Sequence, residues 1–161
     1  METVYIETII VSYLVADPSR DVVTAGLQQA TRDWWQRRRI EFHCVTSAET
    51  LAESSRGDAE QARRRLAVLA GLTLVPSAVE AEQLTVGFMA SGALPARARS
   101  DAIHLAVAII AEADYLLTWN CRHLANAQIL RRIEAEVRRA GLRMPRVCTP
   151  LELMGDSPDE T

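Results

Sequence analysis

Apolar and polar positions along the chain fall into blocks whose period changes repeatedly. Residues 4–10 (VYIETII) form an apolar run broken only by Glu7 and Thr8 and rich in β-branched side chains. Such a run predicts a buried strand of a parallel sheet rather than a half-exposed, alternating one. The segment VSYLVADPSRD leads past Pro18 into a helix expected over 22–38, with Asp17 or Ser19 as its cap. Residues 41–46 (EFHCVT) read as a second strand. Thr46 followed three residues later by Glu49 has the form of a capping box, opening a helix that runs past Glu53 and stops near Gly57. A further helix is expected over 59–71, a short third strand in LTLVP (72–76), and a helix over 79–89. SGALP (91–95) breaks the chain before an apolar helix over 99–113 and a fourth strand at YLLTW (115–119). A helix over 127–140, a last strand at 146–148 and a closing helical turn over 149–153 complete the pattern.

Strands alternating with helices predict an α/β fold: a mostly parallel sheet covered on both faces. A length of 161 residues suits one domain, expected over 1–154, followed by an acidic, flexible tail over 155–161. A hydrophobic fraction of 48% is enough to build a core. The net charge of −3 excludes a generally basic nucleic-acid binder, but not an enzyme that meets phosphate through a cation and local arginines. Lysine is absent, so every Lys/Arg position is arginine. The simplest reading is genome composition, although arginine also keeps bidentate phosphate chemistry. Cys44, Cys121 and Cys148 are far apart and form no CxxC pair, which argues against a zinc site or a disulfide framework. With no leader-like N-terminus and no apolar run near the roughly 20 residues of a membrane span, a cytoplasmic protein is expected.

Four polar residues interrupt apolar elements. Glu7 lies within the first strand run, Glu53 on the helix after the second strand, Asp101 at the start of DAIHLAVAII, and Asn120 at the end of LLTWN. In an open parallel sheet, ligands gather beyond the carboxyl ends of the strands. Carboxylates converging there repel one another unless a cation intervenes, and hard oxygen ligands suit Mg²⁺ or Mn²⁺. Individually the signals are modest: Asp101 could be a helix-dipole partner and Glu53 a solvated side chain. Glu7 is harder to explain away, because burying an unpaired carboxylate is costly.

Taken in order, VYIETIIVSYL, Glu53 in LAESSRGD, DAIHLA and LLTWNCRHL resemble the PIN-domain family, in particular VapC-type toxins. Glu7-Thr8 matches the family's first acid followed by Thr or Ser. Glu53, with Glu49 as the fallback, matches its second acid. Asp101-Ala102 opens its D-A-x-x-A helix start, and Thr118-Trp119-Asn120 stands where the family has T-x-D. The Thr149-Pro150-Leu151-Glu152-Leu153 turn also fits. The resemblance spans essentially the whole chain and implies a PIN-like three-layer α/β/α sandwich. It further implies a Mg²⁺- or Mn²⁺-dependent endoribonuclease with Glu7, Glu53 and Asp101 as metal ligands. Asn120 and the hydroxyl of Thr118 or Thr8 would position water or the scissile phosphate, and hydrolysis would leave a 3′-hydroxyl and a 5′-phosphate. The implied partners are RNA, a cognate antitoxin protein and a second copy of the chain. Two departures stand out: Glu7 replaces the usual Asp, and Asn120 brings no charge, which weakens any second metal site.

The alternative is a PIN-like module that is weak or inactive as a catalyst and binds RNA or a protein partner. A response-regulator-like phosphoacceptor fits poorly, since strand one offers only Glu7 and LTLVP contains no Asp. Trp34-Trp35 with Arg37-Arg38-Arg39 could stack bases and grip phosphate, but packing of the indoles and solvation of the arginines is the preferred reading. The other arginine runs read as exposed helix faces. His104, a lone polar residue on an apolar helix, reads as a hydrogen-bonded core group. His43 and His123 are too scattered to suggest a metal triad, and Cys44 and Cys148 read as buried strand residues.

Overall fold

A computed structural model describes residues 1–155. Five strands, β1 (Thr3–Ile6), β2 (His43–Thr46), β3 (Thr73–Leu74), β4 (Tyr115–Leu117) and β5 (Arg146–Cys148), form one sheet in the order β3-β2-β1-β4-β5. Every pairing is parallel. Seven helices among the described residues surround it: α1 (Thr8–Val15), α2 (Val22–Arg37), α3 (Ala48–Ser54), α4 (Ala59–Leu69), α5 (Val79–Ala90), α6 (Arg99–Ile110) and α7 (Ala127–Arg139).

Strand pleating sends successive side chains to opposite faces. Tyr5, Val45 and Leu116 pack with Phe88 of α5, Leu105 and Ile109 of α6, and Ile133 and Val137 of α7. Val4, Ile6, Cys44, Leu117 and Cys148 pack with Ile10 and Val11 of α1, Trp34 of α2 and Leu69 of α4. Both faces are therefore covered, and the expected three-layer α/β/α sandwich is what the chain forms. No helix among the described residues is long and apolar enough to cross a membrane. The tail expected over 155–161 lies, beyond Gly155, outside the described residues.

Several local expectations need correction. The run over 4–10 is not one strand: β1 ends at Ile6, Glu7 caps α1, and Thr8 begins a helix. A short continuous apolar run cannot distinguish strand from buried helix by period. Here the Glu7 carboxylate satisfies the Ile9 amide, and burial of Ile10 and Val11 overrides their β preference. Asp21, rather than Asp17 or Ser19, caps α2, through a 2.8 Å bond from the Thr24 amide. Ser47, not Thr46, caps α3, because Thr46 still belongs to β2 and bonds the Ile6 carbonyl. β4 ends at Leu117, which leaves Asn120 in the following loop rather than at a strand end. The helix expected over 99–113 stops at Ile110, where Glu112 adopts a φ of 53° and turns the chain towards β4.

The preferred packing role of the tryptophans is what the structure shows. Trp34 is fully buried and donates to the Leu153 carbonyl at 3.2 Å, while the Arg39 guanidinium lies 4.9 Å from the Trp35 ring centroid. Cys44 and Cys148 are buried, and Cys121 is exposed.

Candidate active site

Strand order reverses around β1: the chain runs outward to β2 and β3, then returns to place β4 on the other side. A crevice at the carboxyl ends of the strands is expected at this switch point. Glu7 follows β1 there, and Thr118 follows β4.

Glu7 is only 5% exposed. Its Oε2 accepts from the Ile9 amide at 3.1 Å and its Oε1 from the Thr118 hydroxyl at 3.0 Å. Both donors are neutral. Desolvation dominates, and although His104 and the two hydrogen bonds oppose it, the carboxyl is pushed up to about 7. Thr118 continues the network, since its Oγ1 accepts from the Asn120 amide at 2.9 Å. The Asn120 side chain then donates from Nδ2 to Asp101 Oδ1 at 2.9 Å, and its Oδ1 accepts from the His123 amide at 3.1 Å. His123 Nδ1 stands 2.8 Å from Asp101 Oδ2. Glu7, Thr118, Asn120, Asp101 and His123 thus form one continuous hydrogen-bonded chain across β1, β4 and α6.

Glu53, near the end of α3, heads a second network. It accepts from the hydroxyls of Thr8 and Ser100 and lies 3.1 Å from His104 Nε2. His104 Nδ1 is in turn 2.8 Å from the Tyr5 hydroxyl, which is 2.6 Å from Ser47 Oγ. Burial opposes ionisation of Glu53, but His104, by hydrogen bond and charge, and the Ser100 and Thr8 hydroxyls outweigh it and hold the carboxyl at about 2. Burial likewise opposes the charged imidazole, yet the Tyr5 hydroxyl and the Glu53 and Glu7 carboxylates hold His104 well above its ordinary value. The two networks meet through the adjacent residues Glu7 and Thr8.

All five site residues expected from the sequence therefore belong to these two adjoining networks, and Thr8 belongs as well. The fallback acid Glu49 does not; it lines a groove of about 380 Å³ with Ser47, Val75, Glu82, Arg99 and Ile103. The expected ligand trio is not drawn into a closed cluster: among the described residues no three His, Cys, Asp or Glu side chains are placed to hold one ion. Glu53 and Asp101 rest instead on protein donors. The donor set still suits a hard divalent cation, because all three groups are carboxylates and the hydrogen-bond donors to Glu7 are both neutral. A cation beside Glu7 would offset the desolvation that pushes its carboxyl up.

Sequence reasoning missed Tyr5, Ser47, Ser100 and His123, and it placed His104 in the core without linking it to Glu53. Three of these carried a readable signal. Ser100 precedes Asp101, His104 lies one helical turn beyond it, and His123 lies three residues after Asn120. The Tyr5–Ser47 link joins residues 42 apart and had no local signature.

The sequence matches no protein-family model and no curated protein. Among solved structures it is similar to a chain in the crystal structure of VapBC2 from Rickettsia felis bound to a DNA fragment from their promoter. The TM-score is 0.56 at 16% identity, with 91% of this chain and 98% of that chain covered. At that identity the similarity is one of fold, and the fold is PIN-like.

Proposed function

We propose that this chain, with its PIN-like fold, is a cytoplasmic endoribonuclease that hydrolyses RNA phosphodiesters with Mg²⁺ or Mn²⁺ and serves as the toxin of a toxin–antitoxin pair. The observation that supports this most directly is the hydrogen-bonded chain Glu7–Thr118–Asn120–Asp101 at the switch point of a parallel sheet. Glu7, Glu53 and Asp101 would hold the ion. When bound, it supplies Lewis acidity and positive charge at the scissile phosphate.

The chain's own residues supply the rest. Thr118 holds the Glu7 carboxyl at the end of β4, and Asn120 sets Asp101 by direct contact. Asn120 and the hydroxyls of Thr118 and Thr8 are the neutral groups able to orient water. Arg97, Arg99 and Arg122 are exposed on the segments that flank Asp101 and Asn120, where they can meet the phosphates of a bound strand. The related fold comes from a two-protein complex on promoter DNA, which supports a cognate antitoxin as partner. A homodimer is part of the same reading.

The test is cleavage of total RNA in Mg²⁺, Mn²⁺ or EDTA by wild type and by Asp101→Asn. Metal-dependent cutting by wild type alone is expected. Equal cutting by both proteins, or cutting unaffected by EDTA, would sink the proposal. A second reading, an RNA- or protein-binding module without turnover, draws on the histidines that already accompany Glu53 and Asp101 and on the uncharged Asn120. RNA retention with no cleavage in either metal would favour it.

A further inference from the structure

We propose that His104 is a positioning residue that orients the Glu53 carboxylate in the site, its own ring being fixed from behind by Tyr5 and Ser47. This inference rests on the metal-dependent reading for its consequence, though not for its geometry.

His104 is 1% exposed and shares the buried face of α6 with Ala102, Leu105, Ala106 and Ile109. An imidazole among such neighbours must find partners for both ring nitrogens, and it does. Nδ1 meets Tyr5 at 2.8 Å, and Nε2 meets Glu53 at 3.1 Å. The Tyr5 hydroxyl is anchored by Ser47 at 2.6 Å, and Ser47 is the cap of α3, the helix that carries Glu53. A closed circuit results: α3 is gripped at its first turn through Ser47 and near its last through Glu53, by β1 through Tyr5 and by α6 through His104. The Tyr5 and His104 rings lie 5.9 Å apart and tilted by 58°, so neither can swing without disturbing the other. Thr8 and Ser100 also donate to Glu53, but each can rotate its hydroxyl away. The imidazole is the rigid member of the set. Partners that orient a ligating carboxylate are worth roughly 10–100-fold in metal affinity.

His104→Gln can return an amide donor to Glu53 while losing Tyr5. His104→Asn can return a group to Tyr5 while falling short of Glu53, and His104→Leu removes both contacts. Mn²⁺ affinity of the RNA-free full chain, measured by calorimetry, should fall roughly 10–100-fold in the Leu and Asn variants and by a smaller factor in Gln, which keeps a donor to Glu53 but loses the Tyr5 anchor. The kcat for RNA should follow, with KM little changed. A folded Asn variant that binds Mn²⁺ as wild type does, or equal losses in Asn and Gln, would overturn the proposal. If the Leu variant does not fold, the Asn–Gln pair decides. Should wild type bind no Mn²⁺, the metal reading fails, and the geometry is judged separately by imidazole ¹⁵N spectra. The His104 Nε2 signal is expected to move on Glu53→Gln, and an unmoved signal would overturn the assignment.

Discussion

Thr118 donates a 3.0 Å hydrogen bond to the Glu7 carboxylate, joining the residue after β4 to the residue after β1. Thr118 is fully buried, and its oxygen also accepts from the Asn120 amide, so one hydroxyl serves both Glu7 and the loop that carries Asn120.

Thr118→Val should therefore leave two buried polar groups short of a partner at nearly constant volume. A loss of about 1–3 kcal/mol is expected in urea unfolding, with Thr118→Ser recovering most of it. A valine variant as stable as wild type would mean that water or another group replaces the hydroxyl.

Glu7 gives the fold a pH signature. Its folded pKa, about 7, lies above the ordinary 4.5. A carboxyl shifted in this direction stabilises the fold fully below pH 4.5 and ceases to do so as pH rises through 7. With divalent ions removed by EDTA, wild type should lose stability relative to Glu7→Gln between these limits. The gap corresponds to roughly 3 kcal/mol at most, since Glu53 and His104 face the same group and share the titration. Urea melts at pH 5 and pH 8 measure it, and equal differences at the two values would refute it.

Asn120→Asp would place a carboxylate where Nδ2 now donates to Asp101 at 2.9 Å. Without divalent ions the variant should melt several degrees below wild type, because two acids would then face each other. Mg²⁺ or Mn²⁺ should restore the loss and bind more tightly than to wild type. Calorimetry and thermal unfolding with and without the ion test both halves.

Exposed Arg99 and Arg122 should act on RNA affinity rather than on turnover. Replacing either with Ala is expected to raise KM, leave kcat nearly unchanged, and flatten the dependence of log affinity on log salt by about 0.7. Filter binding across a salt series reads this directly. An unchanged slope would remove that arginine from the interface.

What the sequence made legible was whatever local pattern controls. The alternation of apolar runs and helical stretches led to a parallel, doubly covered sheet, and Glu7 was noticed because an acid in so apolar a run is expensive. The boundary at Ile6 was not legible, because whether Thr8–Val15 coils or extends is decided by packing against α2, α3 and α4 rather than by its own composition. Asp101 and Asn120 could each be nominated from the sequence, but their direct contact bridges 19 residues and a change of element. The histidines were hardest. A lone His on an apolar helix reads as a satisfied core residue, and His104 is one; what the sequence withholds is that its partner is Glu53, 51 residues earlier.

The central position of β1 in the sheet bears on how the protein is made. Glu7 and its partner Thr118 lie 111 residues apart, and β1 has no β4 to pair with until that stretch has been made. Such long-range closure is slow and comes late in folding. A chain interrupted before α6 holds Glu7 and Glu53 without Asp101 and Thr118, so the hydrogen-bonded network across the strand ends closes only once α6 and β4 have been made.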